Sequence, residues 1–221
     1  MHARTRSIVA CTTFLLALPA ALYAQTGKVP LLPEDQEIRM AKSAAAPQVS
    51  DDASVWVLRR GGHVKVVDGT NGVNCFVDRD NHPEGLYPIC YDAEASLTIL
   101  PISLMQTRLR EAGKSEEEVD RTIDNAIARG ELKLPERTAI AWMQSAQQVL
   151  YADGRRVGTW RPHIMIYAPN LDTRALGFPN ADPPGFFVQN PGKPLAHLVI
   201  VTPLWSDGTP GPALPAQPGL N

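Results

Sequence analysis

The sequence predicts an α+β fold: a mainly antiparallel sheet, two or three helices packed on one side of it, and one disulfide. Three observations carry this. Apolar residues alternate with period two from Ser54 to Val77, and strand-like segments return after Pro135. Between them lies a stretch with helix caps and a helical apolar period. Two cysteines, Cys75 and Cys90, remain once an N-terminal leader is set aside. Composition agrees, since 44% hydrophobic residues with 20 Pro and 16 Gly in 221 residues describe a folded, loop-rich chain and exclude a long coiled coil. A formal net charge of -2 offers no basic surface, which argues against nucleic acid or an anionic membrane as the main partner.

Residues 1–24 have the parts of a secretory signal: Arg4 and Arg6, an apolar run from Ile8 to Leu22, and Ala24 before Gln25. The run is too short for a bilayer span, so the chain is expected to be periplasmic or secreted, with no transmembrane segment. Cys11 precedes most of the apolar run, which argues against a lipoprotein. Residues 25–52 read as an arm or marginal helix, because Leu32, Ile38 and Ala41 make only a weak apolar stripe and Pro47 stops the helix.

A single α+β domain is expected over residues 53–203. Val55, Val57 and their neighbours lead through Arg59-Arg60-Gly61-Gly62 into His63 to Val67, a hairpin. Asp68-Gly69-Thr70-Asn71-Gly72 then leads into Val73 to Val77, so three consecutive strands are expected as a meander. A polar loop, Asp78 to Pro88, carries His82. An oxidising compartment pairs Cys75 with Cys90, and a loop of that length contributes about 3 kcal/mol in the chain-entropy model. The functional alternative is Cys75 as a nucleophile partnered by histidine, although no nucleophile motif surrounds it.

Asp92 can cap a short helix through Leu100, and Pro101 can open a second from Ile102 towards Ala112. The clearest helix begins at Ser115, where Glu118 completes a capping box and Val119, Ile123, Ala126 and Ile127 share a face. Strands follow at Thr138 to Gln144, around Val149 to Tyr151, and at Val157 to Trp160. Two related segments, His163 to Pro169 and His197 to Pro203, each set a histidine at the head of an apolar run closed by proline. Both read as central strands. The Pro-rich link between them leaves room for a short strand at Phe186 to Val188. Residues 204–221 carry almost no charge and read as a disordered Pro/Gly-rich tail.

Gly69-Thr70-Asn71-Gly72-x-x-Cys75, Pro88-Ile89-Cys90-Tyr91-Asp92, Ala141-Trp142-Met143, Pro162-His163-Ile164-Met165 and Ala196-His197-Leu198 together resemble a family of exported bacterial proteins of unknown function. The resemblance covers most of residues 55–203. Val73 departs from it, where an aromatic is more usual, and so does the helix at Ser115. It implies domain limits and an exported address, but no reaction.

His163, His197 and Asp92 are the candidate catalytic residues. If their strands are parallel neighbours the two imidazoles can share a ligand; if antiparallel they stand at opposite ends. A metal would need a third ligand such as Asp92 or His82, and no close ligand-spacing motif is present, so no metal or cofactor is expected. The bland reading has each histidine bonding a loop carbonyl at a strand end. Asn71, Asn74 and Tyr167 are candidate ligand-binding residues, with turn chemistry the structural reading of both asparagines. Trp56, Trp142 and Trp160 read as packing residues. No nucleophile elbow, phosphate-cradling loop or dinucleotide fingerprint occurs. The expected function is a non-enzymatic binding or envelope-associated module with an unknown small molecule or envelope component as partner. The alternative is an envelope hydrolase or metal-dependent enzyme using His163 and His197.

Expressed with its own leader and taken from the periplasm, the protein should show by native mass spectrometry the loss of residues 1–24 and the two-hydrogen deficit of one disulfide. A retained leader or two free thiols would contradict this reading.

Overall fold

The computed structural model describes residues 31–79, 85–152, 155–177 and 185–213. The expected leader, His82, the Asp153-Gly154 turn, much of the Pro-rich link and residues 214–221 lie outside them. In chain order the elements are α1 (Glu34–Lys42), α2 (Pro47–Ser50), β1 (Ser54–Arg59), β2 (Gly62–Val67), β3 (Asn74–Asp78), β4 (Tyr87–Tyr91), α3 (Ala93–Glu111) and α4 (Glu116–Ala128). They continue with β5 (Ala139–Met143), β6 (Leu150–Ala152), β7 (Arg155–Gly158), β8 (His163–Tyr167), β9 (Phe186–Gln189) and β10 (His197–Val201). Eight strands form one sheet in the order β2-β1-β3-β4-β5-β8-β10-β9, while β6 and β7 pair separately.

The sheet is mainly antiparallel, with one exception. β1 and β2 make the hairpin that the alternation predicts. β3 does not extend it as a meander: it crosses to the other side of β1 and pairs with it in parallel, Ser54 beside Asn74 and Val55 beside Cys75. The cause is the Gly69-Thr70-Asn71-Gly72 turn, which passes over the start of β1. A Cβ on Gly69 would lie 2.2 Å from the Ser54 nitrogen, so only glycine permits the crossing. Hydrogen bonds hold it there: Gly69 N–H to Ser54 Oγ at 2.9 Å and Thr70 N–H to the Asp52 carbonyl at 2.8 Å. From this position β3 meets β4, Cys75 stands opposite Cys90, and the two are joined as a disulfide.

Alternation along the strands divides the protein into two faces. Val55, Val57, Cys75, Val77 and Cys90 pack with Met40, Ala41, Ala44 and Ala45 from α1 and the turn after it. Phe76, Ile89, Tyr91, Ala141, Met165 and Val199 pack instead with Ala95, Ile99 and Leu100 of α3. Adjacent residues of one strand belong to different clusters, so α1 and α3 cover opposite faces rather than packing on one side. The residues read as an arm are thus a core layer from Met40 onward. Their apolar groups are mostly alanines, which weakens the stripe in sequence yet lets the helix approach the sheet closely. α4 packs on α3 through Val119, Ile123, Ala126 and Ile102.

α3 is one helix and not two. Asp92 caps it, its carboxylate accepting the Ala95 N–H at 2.7 Å. Pro101 lies within it, on the exposed side. A proline there removes one backbone bond, that to the carbonyl of Leu97, itself an exposed residue (72%). The capping box of α4 forms as its sequence predicts, and Arg110 joins α3 to its start by a two-pronged contact with Glu116, both bonds 2.9 Å. Residues 204–213 of the expected tail fold back as a turn. Ser206 N–H donates to the Gln144 carbonyl at 2.9 Å and its hydroxyl to the Ser43 carbonyl at 2.6 Å, so this segment closes over the end of β5.

Among the described residues one ion pair is fully buried. Glu37 of α1 meets Arg79, just past β3, at 3.3 Å, and the same Glu37 oxygen accepts the Leu58 N–H of β1 at 3.1 Å. Burial pushes the Glu37 carboxyl up and the Arg79 guanidinium down, and each is the other's chief electrostatic compensation. Removing one partner strands a charge away from water. Glu37→Ala should therefore lower unfolding free energy by about 3–5 kcal/mol, whereas Glu37→Met combined with Arg79→Met should recover most of the loss. Urea denaturation of the three proteins checks this; a single variant no worse than the double would refute it.

Candidate functional site

The face under α3 carries a row of aromatic rings running across the sheet. His63 of β2 meets Phe76 of β3 edge-on at 5.3 Å, Phe76 meets Tyr91 of β4 at 5.7 Å, and Tyr91 meets Tyr167 of β8 at 6.3 Å. His197 of β10 ends the row, 4.8 Å from Tyr167. Tyr91 and Tyr167 are separated by a whole strand, β5. They meet because β5 presents only Ala141 beside Tyr91 and Ala139 beside Tyr167, and both rings extend over these methyl groups.

Above the far half of this row the sheet, α3 and the loop before β10 enclose a cavity of about 270 Å3. Its apolar walls come from Ile89, Ile99, Ile102, Met143, Met165 and Leu195. Its polar groups are Asp78, Ser103, Gln106, Asn190, His197 and the tyrosines. Trp160 also lines it and is 45% exposed. Tyr91 shares a hydrogen bond of 3.0 Å with Ser103. Burial pushes both Tyr91 and Tyr167 above the ordinary phenol range, and the negative charge of Asp78 adds to each, so both hydroxyls stay protonated.

The candidate residues separate in space. His163 and His197 share the α3 face, but β8 and β10 are antiparallel: His197 is opposite Tyr167 and His163 opposite Val201. Four residues at about 3.3 Å each place them roughly 13 Å apart along the strands. His197 lines the cavity and His163 does not. Each ring donates from Nδ1 to the carbonyl two residues before it, His163 to Arg161 at 2.7 Å and His197 to Leu195 at 3.0 Å. Carbonyls only accept, so both neutral rings keep the proton on Nδ1 and leave Nε2 as an acceptor. Burial lowers the pKa of both.

Asp92 is occupied as the cap of α3. Asn71 works in the crossing turn, donating to the Val49 carbonyl at 2.8 Å and accepting the Val73 N–H at 2.9 Å. Asn74 accepts the Trp56 indole N–H at 2.8 Å, tying β1 to β3. Of the ligand-binding candidates only Tyr167 reaches the cavity. Sequence reading missed Asp78, Tyr91, Ser103, Gln106 and Asn190. The one available signal was alternation: in Tyr87-Pro88-Ile89-Cys90-Tyr91 the residues opposite in phase to the disulfide share a face. Among the described residues no group of three or more His, Cys, Asp or Glu could hold a metal ion. Comparisons with family models, curated proteins and solved structures return no match.

His63 begins the row under a different strain. Its Nε2 meets the Val77 carbonyl at 3.2 Å while Nδ1 is buried without a partner. Burial above all lowers its pKa to about 4, against the Val77 bond, with nearby Arg79 adding to the depression. The unfolded chain protonates this ring near pH 6.5 and the folded chain only near 4, so the unfolded state binds more protons in between. Stability should be full above pH 6.5, fall as pH drops through that interval, and level off below it. His163 and His197 act in the same direction. Denaturation midpoints from pH 7.5 to 4 should show a shallower fall for His63→Phe than for wild type; identical slopes would contradict the assignment.

Proposed function

We propose that this chain is an exported, non-enzymatic binding module of the bacterial family its motifs resemble, and that it takes a small molecule in the cavity under α3. The single observation that carries the reading is the cavity itself. It is concave, largely apolar, and supplied with a few polar groups held on a sheet and a helix, which is the ordinary build of a small-molecule site. The walls are prearranged: the disulfide pins β3 to β4, and Ala139 and Ala141 admit the two tyrosines. Export is supported by the leader and by a disulfide, which persists in oxidising compartments. No helix among the described residues is long and apolar enough to cross a membrane. The rival reading, a hydrolase or metal-dependent enzyme using His163 and His197, has one histidine at the cavity to work with and lacks a shared centre for two.

A thermal-shift screen of small polar and aromatic fragments against the mature protein tests this. Binders should raise the melting temperature of wild type, and Gln106→Trp, which fills the cavity from a half-buried helix position, should abolish the shift while leaving the unliganded melting temperature and circular dichroism close to wild type. Shifts that survive Gln106→Trp would move the site elsewhere. Hydrolysis of ester, amide or phosphate substrates that disappears in His197→Ala would replace the binding reading with the enzymatic one.

A further inference from the structure

The outer side of α3 offers a second place where space and charge meet, apart from the cavity described above. Leu97, Pro101, Leu104 and Arg108 recur at helical spacing and form one stripe along the helix. Leu97 is 72% exposed, and Pro101 and Arg108 are exposed as well. Two hollows lie beside the stripe. One, of about 390 Å3, is bounded by the Gly61-Gly62 turn, His63, Leu104, Met105 and Arg108. The other, of about 700 Å3, lies between Leu97, Thr98 and the chain around Lys133 and Leu134. Pro101 and Leu132 line both, so the hollows make one groove. From Leu97 to Arg108 the helix rises roughly 16 Å, which sets the length of that groove.

Charges along the groove balance everywhere except at one end. Glu94 pairs with Arg137 at 2.6 Å, Glu131 pairs with Arg129 at 2.7 Å, and Lys133 and Glu136 carry opposite signs. Arg108, at the end beside β2, makes no hydrogen bond or ion pair among the described residues. Glu111, three residues on, is taken by Arg60 at 3.8 Å. The hairpin turn lies alongside the Arg108 stem, since a Cβ on Gly62 would stand 3.7 Å from the Arg108 Cβ. His63 brings no charge to this end: its Nε2 donates to the Val77 carbonyl and its Nδ1 is buried.

The walls decide what kind of anion fits. Leu97, Pro101, Leu104, Met105, Leu132 and Leu134 offer hydrocarbon, and the Thr98 hydroxyl already donates to the Glu94 carbonyl at 2.7 Å. A peptide laid there would set backbone N–H and C=O groups against hydrocarbon, a penalty that an acyl chain does not incur. One guanidinium matches one carboxylate, whose two oxygens meet its planar fork. We propose that the groove is a second binding site, independent of the cavity, for a straight-chain carboxylate. The carboxylate sits at Arg108 and the chain lies along α3 past Leu104 and Pro101 towards Leu97.

Isothermal titration at pH 7.5 with octanoate, decanoate and dodecanoate tests this, with decanol and decyltrimethylammonium as the neutral and cationic counterparts of decanoate. Apolar contact should set the affinity, which should rise about twofold per added methylene, half the free energy of full burial. Arg108 should set the selectivity. An exposed ion pair is worth up to about fivefold, so Arg108→Gln should weaken decanoate by about that factor and leave decanol unchanged. Leu97→Asp, at an exposed helix position, should remove the gain from decanoate to dodecanoate and leave octanoate as in wild type. Gln106→Trp, which fills the cavity, should leave all these affinities unaltered. The assignment is overturned by absent decanoate binding, by decyltrimethylammonium binding as tightly as decanoate, or by decanoate indifferent to Arg108→Gln. A dodecanoate gain that survives Leu97→Asp would overturn the path of the chain. Loss of decanoate binding in Gln106→Trp would put the chain in the cavity, ending this site while leaving the cavity's own reading intact.

Discussion

The passage of the chain over the start of β1 is the constraint on which the remaining structure depends. At Gly69 two backbones lie closer than any side chain allows, and the bonds from Gly69 and Thr70 to the Asp52–Ser54 segment lock them there. Had the chain turned back beside β2 as a simple meander, β3 would lie on the outer edge. Crossing instead carries β3 into the interior of the sheet. Cys75 then meets Cys90, Asn74 meets Trp56, Arg79 reaches Glu37, and Asp78 arrives at the cavity.

β3 also shows how one strand serves two layers. Its residues alternate between faces, so Cys75, Val77 and Arg79 work against α1 while Phe76 and Asp78 work under α3. The α1 face is bound by covalent and ionic ties and by small apolar contacts. The α3 face is built of rings and is where space remains. A buried ion pair is weak evidence of net stability, since desolvation offsets much of its attraction. Its geometry has a clearer role: Glu37 joins α1, β1 and the end of β3 at one carboxylate oxygen, which fixes the helix register that an alanine-rich interface leaves loose.

The cavity results from a mismatch of side-chain size. Tyr91 and Tyr167 flank a strand whose inward residues are alanines, so the rings come together over β5, and Ile99 and Ile102 of α3 line the space above them. Four ring contacts join side chains of five strands, and Tyr91, Tyr167 and His197 of that row line the site.

Much of this protein was legible in its sequence because the relevant physics is local. Period-two alternation marked the strands from Ser54 and His163, the Ser115 capping box marked α4, and Asp92 marked the start of α3. Pairing of Cys75 with Cys90 needed only two cysteines and an oxidising address. Local rules failed where the deciding contact is distant. Pro101 reads as a helix start, yet tertiary packing carries α3 through it, with the proline on the exposed side. Alternation shows that His163, Met165 and Tyr167 share a face but is silent on which strand lies alongside, and the antiparallel neighbour parted the two histidines. Whether α1 and α3 share a side depends on the crossing at Gly69 and on the pairing of eight strands. The cavity depends on small residues of β5 meeting large ones of β4 and β8. Strands, caps and cysteines are written in neighbouring residues; faces, registers and empty space arise from pairs far apart in the chain, and only the folded structure brings those pairs together.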